Sequence, residues 1–195
     1  MSNSVKENLK KSIKPGDLFE LGDHRLICGD ATDEKIVKKL LGDEKIKSVI
    51  TDPPYGIDYV KGKDWLGLRG TVAQHFESFK DITGDKLQGE DYKEFSIKWL
   101  KPILNYLKSY NTFYIFNSDK EICELRGAMK ETGIYYSQLI IWVKSHQVLG
   151  RKDYNPQHEL IVYGWHGRHK YRGSKSKSVL FYPKPNRSSL HPTMK

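Results

Sequence analysis

Ser48-Val49-Ile50-Thr51-Asp52-Pro53-Pro54-Tyr55-Gly56 is the stretch from which the rest of the chain is read. Ser48 to Ile50 predicts a short strand, and Pro53 and Pro54 end it because proline has no amide to donate to a ladder. Asp52 therefore stands at the C-terminal end of a strand, the edge at which open α/β sheets bind their ligands. Read without context, Asp-Pro-Pro-Tyr is also compatible with a rigid surface turn.

Upstream, Leu18 to Cys28 predicts a hairpin about Gly22-Asp23. A helix should follow, capped by Thr32 or Asp33, with Ile36, Val37, Leu40 and Leu41 on one face and Gly42 as its stop. Downstream, residues 56–86 contain Gly56, Gly62, Gly67 and Gly70, many charges and no period, which predicts a mobile loop. Tyr92, Phe95, Trp99, Ile103 and Tyr106 recur at helical spacing, with Pro102 expected to kink or break that helix. Thr112 to Phe116 reads as a buried strand. Ser118 and Glu121 have the spacing of a capping box, opening a helix that buries Ile122, Leu125 and Met129 and ends at Gly133. Gln138 to Val143 and Glu159 to Tyr163 read as further strands. This alternation predicts an α/β sheet with helices on its faces.

The chain has 195 residues, enough for one domain with an appended lobe. No run of about 18 apolar residues is present to span a membrane. Residues 1–15 read as a flexible basic tail with no secretory character. Cys28 and Cys123 lack partners at metal-ligand spacing, which points to two small buried thiols, a reducing cytoplasm and no metal site. The net charge of +9 suggests an anionic partner. Between Lys144 and Arg187, ten basic residues face only Asp153 and Glu159, so this segment holds eight of the nine net charges. Tyrosines, tryptophan and histidines are interleaved there, as on a nucleic-acid face. A solvated loop region is the plainer alternative.

The chemistry of the Asp-Pro-Pro-Tyr stretch is specific. The amino group of adenine or cytosine is a poor nucleophile because its lone pair is delocalised into the ring. A carboxylate and a rigidly held carbonyl that accept its hydrogens favour the pyramidal nitrogen needed to attack a methyl sulfonium. An aromatic neighbour offers a stacking surface for a base taken out of the duplex.

In order along the chain, several segments resemble one family. They are Gly22-Asp-His-Arg-Leu-Ile-Cys-Gly-Asp-Ala-Thr32, Asp52-Pro-Pro-Tyr55, Trp142-Val-Lys144, Leu149-Gly-Arg-Lys-Asp-Tyr154, Gln157-His-Glu159, Tyr163-Gly-Trp165 and His191-Pro-Thr-Met-Lys195. Together they are similar to the DNA amino-methyltransferases of the β group, whose permuted order places the catalytic motif first. The resemblance covers roughly Gly16 to Lys195. It implies a Rossmann-like fold that binds S-adenosylmethionine, without a metal, and a restriction-modification setting in bacteria or phage. In these enzymes Asp52 and the Pro53 carbonyl would hold the amino group, Pro54 would stiffen the loop and Tyr55 would stack on the flipped base. Asp at the first position, where cytosine-N4 enzymes commonly have Ser, points to adenine N6. Asp30, Asp52, His191, Thr193 and Lys195 are implied around the cofactor, with Asp30 equally explicable as a helix cap. Target recognition falls at 145–189, where Arg151, Lys152, Arg168, Lys170 and Arg172, with Lys144 beside them, are candidate DNA contacts.

The implied organisation is a tail at 1–15, a catalytic core at 16–144, the recognition segment at 145–189 and the start of the cofactor-side motif at 190–195. The Phe-x-Gly-x-Gly cofactor loop of the family is not found within the 195 residues. An incomplete methyltransferase fold is therefore expected, its sheet to be completed by a C-terminal methyltransferase half or a second copy. A DNA-binding remnant without catalysis is the alternative of a different class. Methylation of RNA or of protein glutamine fits less well, since those Pro-Pro-Tyr motifs usually begin with Asn. A nuclease is disfavoured, because no acidic cluster has metal spacing.

Overall fold

The computed structural model describes residues 13–57, 82–147, 153–171, 173 and 175–182. Most of the loop expected to be mobile lies outside the described residues. So do Arg151, Lys152, Arg172, His191, Thr193 and Lys195.

The predicted hairpin forms as β1 (Leu18–Leu21) and β2 (His24–Ile27), paired antiparallel about Gly22. Gly22 has φ +63°, a left-handed conformation that favours glycine. Helix α1 (Glu34–Leu41) follows. Of the two candidate caps, Asp33 does the capping, accepting the Lys35 amide at 2.8 Å. Arg25 donates to the Leu40 carbonyl and ties the hairpin to the last turn of α1.

Strand β3 (Ile46–Thr51) starts the main sheet and is longer than the sequence suggested. It leads, through the Asp52–Tyr55 stretch, to α2 (Gly89–Leu104), β4 (Leu107–Asn117), α3 (Ile122–Glu131), β5 (Ile134–Val143), β6 (His158–His166) and β7 (Val179–Phe181). The spatial order is β3-β4-β6-β5-β7. β3 pairs parallel with β4, and β5 with β7, while β6 runs antiparallel between β4 and β5. Four strands therefore share one direction, giving an α/β sheet of the Rossmann-like kind.

β4 alternates cleanly, with Phe113, Ile115 and Asn117 buried and Thr112, Tyr114 and Phe116 half-buried. The buried set packs with Val49 and Val162 against Tyr92, Trp99 and Leu100 of α2 and Leu125, Ala128 and Met129 of α3. Among the described residues, the opposite face of the sheet carries no helix, and Ile50 is 72% exposed. The helices expected on the faces of the sheet lie, among the described residues, on one of them.

Four local readings differ from expectation. Pro102 neither breaks nor ends α2, which runs two residues further to Leu104. Proline is tolerated there because only one ladder bond near the helix end is lost, and Pro102 itself is buried. The Ser118–Glu121 capping box does not form, as described below. Cys123 is exposed and Cys28 half-buried, so neither is a buried thiol. Finally, the boundary expected at residue 144 cuts through the sheet: β6, inside the supposed recognition segment, is its middle strand. The apolar run Leu160-Ile161-Val162-Tyr163 is hydrogen-bonded on both sides, which fixes it in the core.

Candidate active site

Because β3, β4 and β5 are codirectional, their C-terminal ends meet at one edge. Asp52 to Tyr55 leave β3 there, Asn117 and Ser118 leave β4, and Lys144 follows β5. Antiparallel β6 begins at the same edge and adds His158 and Glu159.

Asp52 has its side chain exposed, and its Oδ1 accepts the Tyr55 hydroxyl at 2.5 Å. Burial, first of all, and then the Asp52 carboxylate and the charge of Glu159 push the Tyr55 hydroxyl far above the usual tyrosine range. It stays protonated and a donor at any physiological pH.

The backbone after the prolines is clamped from three sides. Asp85, only 4% exposed, accepts the Tyr55 amide at 3.1 Å and the Ile57 amide at 3.5 Å. The Ser118 hydroxyl donates to the Tyr55 carbonyl at 3.1 Å, and the Gln88 amide donates to the Gly56 carbonyl at 3.1 Å. Gly56 is required for this approach. Its φ is +68°, and a Cβ would lie 2.2 Å from the Leu87 carbonyl oxygen. Ser118 and Glu121, expected to cap α3, are thus used elsewhere: Glu121 accepts the Gly89 amide at 3.0 Å and so supports the start of α2. Inside, the Tyr92 hydroxyl donates to Asn117 Oδ1 at 3.2 Å, and the same oxygen accepts the Ser118 amide.

Asp85, Gln88 and Ser118 were not singled out in the sequence as site residues. Asp85 and Gln88 lie 28 to 32 residues beyond the amides and carbonyl they hold, far outside any local pattern. Ser118 carried a signal, but its spacing to Glu121 suggested a cap.

The other predicted site residues divide. Asp30 accepts both the amide and the hydroxyl of Thr32 at 2.8 Å, so this carboxylate oxygen serves the turn before α1. Lys144 is not placed as a surface phosphate contact. It is 7% exposed and pairs with Glu159 at 2.6 Å, which neutralises its charge beside the catalytic edge. Arg168 and Lys170 are exposed, but at the other end of the sheet. β6 carries them away from Glu159, and Arg168 bridges to Tyr110 near the start of β4. Thr51 is level with Ile115, five residues further along β4, which separates the two ends by about 17 Å. No cluster of His, Cys, Asp or Glu able to hold a metal occurs among the described residues.

The DNA methylase family (N6_N4_Mtase) matches residues 46–191, most of the chain, including the whole sheet edge just described. The chain belongs to this family.

Among curated relatives of this DNA methylase family member, the type II methyltransferase M.HpaI of Haemophilus parainfluenzae is 33% identical over 141 residues. That match covers 72% of this chain and 38% of the relative. M.HindIII of Haemophilus influenzae is 28% identical over 124 residues, covering 54% of this chain and 39% of that protein. The chain thus spans about two-fifths of the length of the curated relatives it matches. The crystal structure of the M1.HpyAVI–SAM complex aligns with TM-score 0.48 and 18% identity, over 79% of this chain and 62% of that one. The structure of M1.HpyAVI alone gives 0.48 and 16%, over 80% and 64%.

Proposed function

We propose that this chain carries the catalytic edge of a DNA methyltransferase that moves a methyl group from S-adenosylmethionine to the exocyclic amine of a flipped base, adenine N6 by preference. The observation that carries the reading is the Asp52 carboxylate, exposed at the end of β3, with a loop clamped behind it by Asp85, Ser118 and Gln88. An exposed anionic acceptor in a rigid frame suits an amine that must be held while it gains nucleophilic character. Asp in the first position of the motif is the support for adenine over cytosine.

In this mechanism Asp52 accepts one hydrogen of the amine and the Pro53 carbonyl accepts the other. Tyr55 gives up its bond to Asp52 and presents its ring to the base. S-Adenosylmethionine, when bound, supplies the electrophilic methyl group. Asp52 suits the cofactor's side of the site through its exposed carboxylate, and His191, Thr193 and Lys195 are the further proposed contacts, with Asp30 at its adenosine. DNA is the proposed partner. A strand beside β3 is proposed to complete the cofactor site, whether from a longer form of this chain, a C-terminal methyltransferase half or a second copy. Among the described residues β3 is an edge strand, paired only with β4, and its open side supports such an addition.

The test is methyl transfer from labelled S-adenosylmethionine to unmethylated bacterial DNA, with the product nucleoside identified by mass spectrometry. N6-methyladenine that disappears in Asp52→Ala supports the whole reading. N4-methylcytosine keeps the chemistry and overturns the base. Absence of product, even with a C-terminal half supplied, overturns the enzymatic reading in favour of a DNA-binding protein without catalysis.

A further inference from the structure

The end of the sheet opposite Asp52 is not empty surface. The starts of β3 and β4 and the segment after β6 form a cleft of about 850 Å³. Lys45, Lys47, Lys108 and Lys170 line it, together with Tyr110 and Tyr171, which are 41% and 50% exposed. No acidic side chain is among the lining residues. The lysines come from three separate parts of the chain, so their convergence is a product of the fold. Lys45 is held in place at the rim: its ammonium donates to the Asn105 carbonyl at 2.5 Å and lies 5.8 Å from the centre of the Tyr106 ring. Arg168, exposed beside Tyr110, adds a fifth cation at the mouth.

The lining favours a polymer over a small anion. Lysines are point charges on flexible stems and select no single ligand shape. The directed polar group of the cleft, the Asn111 amide, is consumed: it donates to the carbonyls of Lys108 and His166 and accepts the His166 amide. The ring of His169 is stacked on Trp165 with centres 3.8 Å apart, and its Nδ1 is buried without a hydrogen-bond partner, turned from the surface on which the lysines stand. What the cleft offers is spread positive charge and exposed tyrosine rings, the combination that tracks a nucleic-acid backbone without reading sequence.

We propose that this cleft is a second, sequence-independent binding site for the phosphate backbone of DNA, separate from the edge at which the reacting base is held. It rests on the reading of the chain as a DNA-acting protein. At about 17 Å from the level of Thr51, the cleft engages either a flank of the same duplex or another DNA segment. It anchors DNA without taking part in methyl transfer.

The experiment measures affinity of the full chain for an unmethylated duplex against salt concentration by fluorescence anisotropy, together with methyl transfer at saturating DNA. Lys47→Gln combined with Lys108→Gln is compared with wild type and with Lys38→Gln combined with Lys98→Gln, two exposed lysines on the outer helices. Loss of two phosphate contacts should lower the slope of log affinity on log salt by about 1.8, on the order of 60-fold in affinity at 0.1 M salt. The control pair should leave both unchanged, and so should Lys47→Arg with Lys108→Arg, which keeps the charges. Unchanged melting of each variant separates the effect from misfolding. A slope equal to wild type, or an equal fall in the control pair, overturns the proposal, as does equal competition by polyglutamate. If no variant transfers methyl groups yet the slope still falls, the second site stands and the enzymatic reading fails.

Discussion

Tyr55 and Asp52 are coupled in a way that the motif alone does not state. The hydroxyl occupies one oxygen of the carboxylate that the proposed amine requires, so Tyr55 takes up part of that acceptor's capacity. Tyr55→Phe keeps the ring and removes that bond. It should retain methyl transfer within a few-fold and tighten KM for DNA, whereas Tyr55→Ala, lacking the stacking ring, should lose at least 1 kcal/mol of base binding. Steady-state kinetics on both variants checks this. Asp85 makes a second residue-scale prediction. With the carboxyl removed in Asp85→Ala, the half-buried Tyr55 amide loses this acceptor, at a cost of about 1 kcal/mol in folding stability. The frame behind Asp52 also loosens, so kcat should fall more than KM rises. Denaturant melts and kinetics on one preparation test the two effects together.

At the scale of elements, β6 is the strand on which the sheet depends. Gly164 sits where β6 meets β4 and β5, opposite Phe113 and Tyr136. A Cβ there would lie 2.2 Å from the Tyr135 carbonyl oxygen and 2.8 Å from Met129 Cε, a clash with both backbone and core. Gly164→Ala should therefore cost about 3 kcal/mol or more, read as a shift of the denaturation midpoint. The ion pair that ties the start of β6 to the end of β5 behaves differently from a surface pair. Lys144 and Glu159 are 7% and 18% exposed, so Lys144→Met leaves a largely buried carboxylate and should destabilise by about 3–5 kcal/mol. The double variant with Glu159→Leu should recover most of that loss, and a double-mutant cycle measures it.

At the scale of the whole molecule, part of the pH dependence lies in Tyr92, which is fully buried, and Tyr55, which is half-buried. Burial, then Asp52, raises the Tyr55 hydroxyl; burial, then Glu121, raises Tyr92. In the unfolded chain both titrate near the ordinary value of about 10. Above that pH the unfolded state loses protons that the native state keeps, so the contribution of these two groups is fully present below pH 10 and is lost as the pH rises beyond it. Urea denaturation between pH 8 and 11.5 should show this decline, made shallower by Tyr92→Phe. Among the described residues, the helix-free face of the sheet follows from both large helices packing on one side.

Much was legible in local sequence because it depends on local physics. The Gly22 turn, the Asp33 cap, the Gly42 stop and the proline-terminated strand before Tyr55 follow from φ, capping and missing amides within a few residues. The order of motifs placed Asp52 at a strand end and the chain in its family. What required tertiary structure was decided by contacts between distant residues. Asp85 reaches back to the Tyr55 amide, Ser118 leaves its helix for a carbonyl 63 residues away, and Lys144 is neutralised by Glu159 from an antiparallel neighbour. The basic segment that looked continuous is divided by β6, which leaves Lys144 at the edge of Asp52 and carries Arg168 and Lys170 to the far one. Charge is counted along a chain, but a strand that crosses the sheet moves charge from one edge of the molecule to the other, and only pairing partners determine which way it runs.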